Sequence, residues 1–188
     1  MRHLLKGDIH TYFVFLIFLL MPASPGLTQT PLITEVLPSN HTVNMDPDNY
    51  AFPDWIELYN PSGTAYDLSY TWLSDNRHDL KKWRFPYHLQ MAPGSYLLLW
   101  ADSLSYNGKA IHLNFKLSRE GGGVYLSDYE GNILDSLLWP SLPSDISYGP
   151  APGGEDLRYF PQPTPGSFNS TVALPWLRHS SPPESSVA

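Results

Sequence analysis

Side chains bearing oxygen crowd one stretch of the sequence: Asn44, Asp46, Asp48, Asn49 and Asp54. Such oxygens in an irregular loop rich in Pro and Asn suit calcium, which takes roughly six to eight oxygen ligands in flexible geometry. Asp46, Asp48 and Asp54 are the predicted ligands. The pattern is not an EF-hand, because the glycine and the terminal glutamate are missing. The plain alternative is a solvated acidic loop whose Asp and Asn form turns. A second concentration is basic: Arg77, Lys81, Lys82 and Arg84. Lys82 and Arg84 could contact phosphate or an anionic glycan, although Asp75 and Asp79 beside them weaken any steering field. The alternative is a solvated edge whose charges deter strand-to-strand pairing. Aromatic residues form a third group. Trp55, Tyr59, Trp72, Trp100 and Trp139 are too many for the inside of one small sandwich, and rigid rings with polar tips suit sugar or protein contacts.

Catalytic signatures are missing from the sequence. It contains no Gly-x-Ser-x-Gly elbow and no His-Glu-x-x-His, and Gly121-Gly122-Gly123 lacks the Lys-Ser/Thr of a phosphate loop. The triple glycine reads as a permissive hairpin. His78-Asp79 has no further His and Asp partners on packed helices that a metal phosphohydrolase would need. No catalytic residue and no cofactor beyond the calcium option is expected, so the chain is read as a non-enzyme.

The elements that must position these residues are strands. From residue 31 the apolar pattern alternates with a period near two and is broken by Gly, Pro, Asn or Asp clusters. The expected strands are Leu32 to Val36, Trp55 to Tyr59, Asp67 to Leu73, Lys82 to Phe85, Tyr96 to Trp100, Val124 to Ser127 and Ile133 to Trp139. Shorter pieces are expected near His112 and from Ile146 to Tyr148. About seven to nine short strands suit a β-sandwich. Asn60-Pro61-Ser62-Gly63, Ala92-Pro93-Gly94 and Asp128-Tyr129-Glu130-Gly131-Asn132 carry turn chemistry. In Asp54-Trp55-Ile56-Glu57-Leu58-Tyr59 one face holds Ile56 and Leu58, the expected core, and the other holds Trp55, Glu57 and Tyr59. Trp83 and Phe85 likewise alternate with Lys82 and Arg84.

Composition narrows the compartment and the class. The 188 residues include 19 prolines, 13 glycines and no cysteine, with 15% charged and 14% aromatic residues and a formal net charge of −7. Without cysteine there is no disulfide framework, thiolate metal site or cysteine nucleophile. The acidic balance argues against a nucleic-acid binder. Arg2, His3 and Lys6 precede an apolar run from Tyr12 to Met21, followed by Pro22-Ala23-Ser24-Pro25-Gly26. This is the pattern of a secretory signal peptide, expected over residues 1–29. The run spans about half of the roughly 20 residues a membrane helix requires, so no stable span is expected after cleavage. Loss of the segment removes Arg2, Lys6 and Asp8 and leaves nine basic against seventeen acidic residues. Residues 170–188, rich in Ser and Pro, read as a disordered tail or linker.

Several blocks together resemble a known family. Leu32-Ile33-Thr34-Glu35-Val36, Asp54-Trp55-Ile56-Glu57-Leu58-Tyr59-Asn60-Pro61, Asp67-Leu68-Ser69 with Trp72-Leu73-Ser74-Asp75, and Lys82-Trp83-Arg84-Phe85-Pro86 resemble the lamin tail domain in its bacterial exported form. Pro93 to Ala101, His112 to Ser118, Gly131 to Ser136, Asp145 to Gly149 and Pro163 to Asn169 continue the resemblance, which places the domain at residues 30–169. The sequence departs from the family at Ser69-Tyr70-Thr71-Trp72, where a glycine usually accompanies the tryptophan, and at Arg119 to Gly123, which widens a hairpin. The resemblance implies an all-β, immunoglobulin-like sandwich. It also implies a non-catalytic binding or structural module, secreted or held at the cell surface or in the periplasm, with a protein or an envelope polymer as its partner. The alternative is an N-terminal accessory module of a larger extracellular hydrolase, nuclease or spore-coat-type kinase; Ala173-Leu174-Pro175-Trp176-Leu177 would then begin a following domain.

Overall fold

The computed structural model describes residues 29–104, 108–152, 154 and 156–170. Most of the expected signal segment, and the tail beyond Ser170 with its Ala173 to Leu177 island, lie outside the described residues. Twelve strands follow in order: β1 (Leu32–Leu37), β2 (Asp54–Tyr59), β3 (Tyr66–Asp67), β4 (Thr71–Ser74), β5 (Trp83–Arg84), β6 (Gln90–Met91), β7 (Tyr96–Ala101), β8 (Ile111–His112), β9 (Gly122–Asp128), β10 (Ile133–Trp139), β11 (Ser147–Pro150) and β12 (Leu157–Phe160). They form a six-stranded sheet, β12-β11-β1-β2-β7-β8, a four-stranded sheet, β10-β9-β4-β5, and the small β3-β6 pair. All pairings are antiparallel except β7 with β8, where Leu99 faces Ile111 and Trp100 faces His112. This is the all-β sandwich that the alternation predicts, of the immunoglobulin-like type that the resemblance implies.

The strand count exceeds the expectation for local reasons. The stretch expected as one strand from Asp67 to Leu73 is split, because the Asp67 carboxylate accepts the Ser69 amide and hydroxyl and turns the chain between β3 and β4. The short β6 and β12 carry too few alternating residues to register as strands in the sequence. Gly121-Gly122-Gly123 is not a hairpin loop: only Gly121 has a positive φ (115°), while Gly122 and Gly123 open β9 opposite Trp139 and Leu138. A Cβ on Gly122 would lie 2.7 Å from the Trp139 ring, so the glycine makes room for a buried indole. The Asp128 to Asn132 connection is the expected hairpin; the Asp128 carboxylate accepts the amides of Glu130 and Asn132.

Between the two large sheets lie Ile33, Val36, Ile56, Leu58 and Leu99 from one side and Leu73, Trp83, Val124, Leu126, Leu137 and Trp139 from the other. Phe85, Leu113, Phe115 and Leu117 fill the ends of this core. Ile56, Leu58, Trp83 and Phe85 are thus buried as expected. The outer face of the six-stranded sheet is covered as well. Leu37, Trp55 and Trp100 form a second apolar cluster there, flanked by Val43 and Ala110. A sandwich with both faces of one sheet covered accommodates more aromatics than one core can, so Trp55, Trp100 and Trp139 are buried while Tyr59 and Trp72 are half-buried.

Farther along that same outer face Glu35 and Glu57, opposed across β1 and β2, are both fully buried. Residues 161–170 cross over them. Glu35 accepts the Thr164 amide and hydroxyl and the Ser147 hydroxyl. Glu57 accepts the Thr34 hydroxyl at 2.7 Å and the Gly166 amide at 2.5 Å. Asn169 holds the crossing segment down by donating to the carbonyls of Thr34 and Pro150. No Lys or Arg neutralises the pair among the described residues. Burial raises the pKa of Glu35, against its hydrogen bonds. Burial, with the Glu35 charge nearby, pushes Glu57 up to about 7 in spite of its bonds to Thr34 and Gly166.

Candidate functional site

Two arrangements bring chemistry-bearing residues together, one on each outer face of the sandwich. The first is aromatic and basic. Trp72 on β4 pairs with Arg84 on β5, and alternation turns both outward from the four-stranded sheet. The Arg84 guanidinium lies 4.0 Å from the ring centre of Tyr87, 5.3 Å from that of Trp72 and 5.9 Å from that of Tyr70. Its Nη2 donates to the Ser69 carbonyl, while its buried Nε has no hydrogen-bond partner. Lys81 Nζ stands 5.4 Å from the Trp72 ring centre and donates to the Tyr129 carbonyl. Tyr70, Tyr87 and Tyr129 remain about 60% exposed, and a depression of about 330 Å³ opens between Tyr70 and Tyr129. The pair predicted to meet an anion separates here: Arg84 belongs to the aromatic face, while Lys82 bonds Asp75 at 2.6 Å and covers Phe115.

The second arrangement lies beyond Trp55 and Trp100 on the outer face of the six-stranded sheet. Parallel pairing sets His112 beside Trp100, and Asp102, two residues after Trp100, extends along the same side. Asp46 and Asp48 arrive from the loop between β1 and β2. The loop is folded by its own polar groups: Asp46 Oδ1 accepts the Asp48 amide, Oδ2 accepts the Asn49 side chain, and the Tyr50 amide bonds the Asp46 carbonyl. Asp48 is anchored across the chain by the amides of Lys109 and Ala110, each at 2.9 Å, and these bonds first of all lower its pKa. His112 Nδ1 is 2.7 Å from Asp102 Oδ2; its Nε2 is 3.3 Å from Asp48 Oδ2 and 3.8 Å from Asp46 Oδ1. Burial acts to lower the His112 pKa, but the bonds to Asp102 and Asp48 and the surrounding negative charge outweigh it and raise it.

Of the three residues predicted as calcium ligands, Asp46 and Asp48 therefore meet, whereas Asp54 binds elsewhere. Asp54 opens β2 and accepts the Asn40 amide, and burial raises its pKa. Asp102 and His112 were not singled out by sequence. The available signal was the polar His112 between Ile111 and Leu113, and its parallel partner could not be read from the pattern. Asn40 and Asn169 are buried, with their side-chain amides donated to backbone carbonyls.

The model of the lamin tail domain matches residues 27–141. The chain belongs to the lamin tail domain family. That match spans β1 to β10, so the sheets that carry both arrangements are the lamin tail domain's own. Two further strands, β11 and β12, complete the six-stranded sheet beyond the matched residues. Against curated proteins the chain has no match. A lamin tail domain is an immunoglobulin-like binding or structural module, which agrees with the lack of catalytic motifs. Among the described residues no helix is long and apolar enough to cross a membrane.

Proposed function

We propose that this lamin tail domain is an exported, non-catalytic module that binds an anionic polymer of the cell envelope through the face made by Tyr70, Trp72, Arg84, Tyr87 and Lys81. The carrying observation is the Arg84 guanidinium set among three aromatic rings, two of them largely exposed. Rings present flat apolar surfaces to sugar faces, and a guanidinium fixed between them offers charge with little rotamer entropy left to lose. On a chain of net charge −7, this is where a polyanion meets the least repulsion. Export is supported by the basic start, the short apolar run and the small residues that follow it. An accessory role beside an extracellular catalytic domain would use the same face.

The test is co-sedimentation of the full chain with isolated envelope polysaccharide, followed by quenching of tryptophan fluorescence at Trp72. Tyr87→Ala and Arg84→Ala are each expected to weaken retention about tenfold or more, the scale of a central contact residue, with melting temperature little changed. Retention equal to wild type in both variants refutes this face as the contact surface.

A further inference from the structure

On the opposite sheet, independently of the polymer-binding face and of export, His112 is buried among three carboxylates. Both ring nitrogens face carboxylate oxygens: Asp102 at Nδ1, Asp48 and Asp46 at Nε2. One imidazole faces three carboxylates, and among the described residues no Lys or Arg forms an ion pair with any of them. The 3.3 and 3.8 Å separations at Nε2 are long for charge-assisted hydrogen bonds, which run about 2.7–2.9 Å. They are close to the spacing of two ligands on one metal ion, about 3.4 Å for a tetrahedral site with bonds of about 2.1 Å. His112, Asp46 and Asp102 each offer a ligand atom within 4.8 Å of the other two, and His112 and Asp46 are fully buried.

We propose that His112 Nε2 with Asp46 and Asp48 binds a divalent first-row transition metal, zinc or a close relative, that ties the β1–β2 loop to β8, while Asp102 holds the ring through Nδ1. An imidazole with carboxylates suits these ions, whereas calcium takes oxygen ligands alone. The buried His112 ring therefore replaces calcium by zinc as the ion expected at Asp46 and Asp48. The amides of Lys109 and Ala110 fix Asp48, and the Leu104 amide fixes Asp102 through its second oxygen, so Asp48 and the support of the ring are held before the ion arrives. The ion's role here is structural, since it joins segments far apart in the chain on an element without a disulfide.

The test uses the full chain stripped with a chelator and titrated with Zn²⁺, with Ca²⁺ as competitor. One Zn²⁺ per chain is expected, with a rise in melting temperature of roughly 8 °C at about a hundredfold excess over Kd, and no displacement by equimolar Ca²⁺. Asp46→Asn and His112→Gln should each weaken binding by about tenfold or more. Because either variant could fold poorly, the wild-type chain is also loaded with Co²⁺, which should shift an imidazole resonance paramagnetically. The proposal is overturned by the absence of stoichiometric Zn²⁺ binding, by binding unchanged in variants that melt like the stripped wild type, by displacement of Zn²⁺ by equimolar Ca²⁺, or by a Co²⁺ complex with no shifted histidine.

Discussion

Replacing Glu57 by glutamine should remove a pH dependence of stability that runs opposite to that of a salt-bridged carboxylate. Glu57 is fully buried beside Glu35, and its pKa rises from 4.5 to about 7 on folding. Between these two values the native state keeps a proton that the unfolded chain has released, so raising the pH favours unfolding. The contribution is intact below pH 4.5, declines as pH rises toward 7 and is gone above it. A shift of this size corresponds to about 3 kcal/mol, or roughly 10 °C in melting temperature for a domain of this size. Glu35, also raised, adds to the slope in the same direction. Glutamine fits the site: its amide can donate to the Thr34 hydroxyl while its carbonyl accepts the Gly166 amide. Thermal melts of wild type and Glu57→Gln from pH 4 to 9 should therefore converge near pH 4.5 and separate by several degrees above pH 7, with the variant the more stable. Parallel curves, or a wild type that gains stability from pH 5 to 7, would show that Glu57 ionises freely in the fold and refute the reasoning.

Other substitutions test the packing. Trp83→Ala should cost about 3–5 kcal/mol, because the indole is 6% exposed and packs edge-on against Phe85 with ring centres 4.8 Å apart; urea melts with an unchanged midpoint would contradict its core placement. Gly149→Ala should destabilise the β11–β1 pairing severely, since a Cβ there would lie 2.1 Å from the Thr34 carbonyl oxygen. Faster amide exchange along β1 and β11 in that variant is the expected signature, and native-like protection would disprove the clash.

Much of the sandwich was legible because the inner faces obey simple alternation. Ile56 and Leu58, and Trp83 with Phe85, follow from period two alone. The outer face of the six-stranded sheet was not legible, because its cover comes from far along the chain. Glu35 and Glu57 look like solvent-facing acids on alternating strands until the segment holding Thr164 and Gly166 closes over them. The same holds for Trp55, which sits on the expected polar face but is sealed in a cluster against which Val43 and Ala110 pack. At the His112 cluster the sequence displayed Asp46 and Asp48 because they are neighbours. Asp102 and His112 were hidden because the parallel β7–β8 contact brings them together by topology, not by spacing. Asp54, close in sequence, diverges because β2 begins there and the loop has already turned away. The Arg84 face had the opposite character: its basic residues were visible, but not that Tyr70 and Tyr87 would clasp one of them while Asp75 bonds another.

The place of β1 has a consequence for how the chain acquires its structure. The first strand lies inside the six-stranded sheet, between β2 and β11, and its Val36 is matched to Tyr148, roughly 110 residues later. Until β11 is synthesised, the backbone groups on one side of β1 have no mate, and the hollow above Glu35 and Glu57 has no roof. Cooperative closure must wait for nearly the whole domain, which places this molecule among slowly folding, non-local topologies. During that interval the open side of β1 can recruit a strand from another copy. Holding the early chain unfolded is then an advantage, and the time β1 waits for β11 bears on whether the domain assembles alone or with its neighbours.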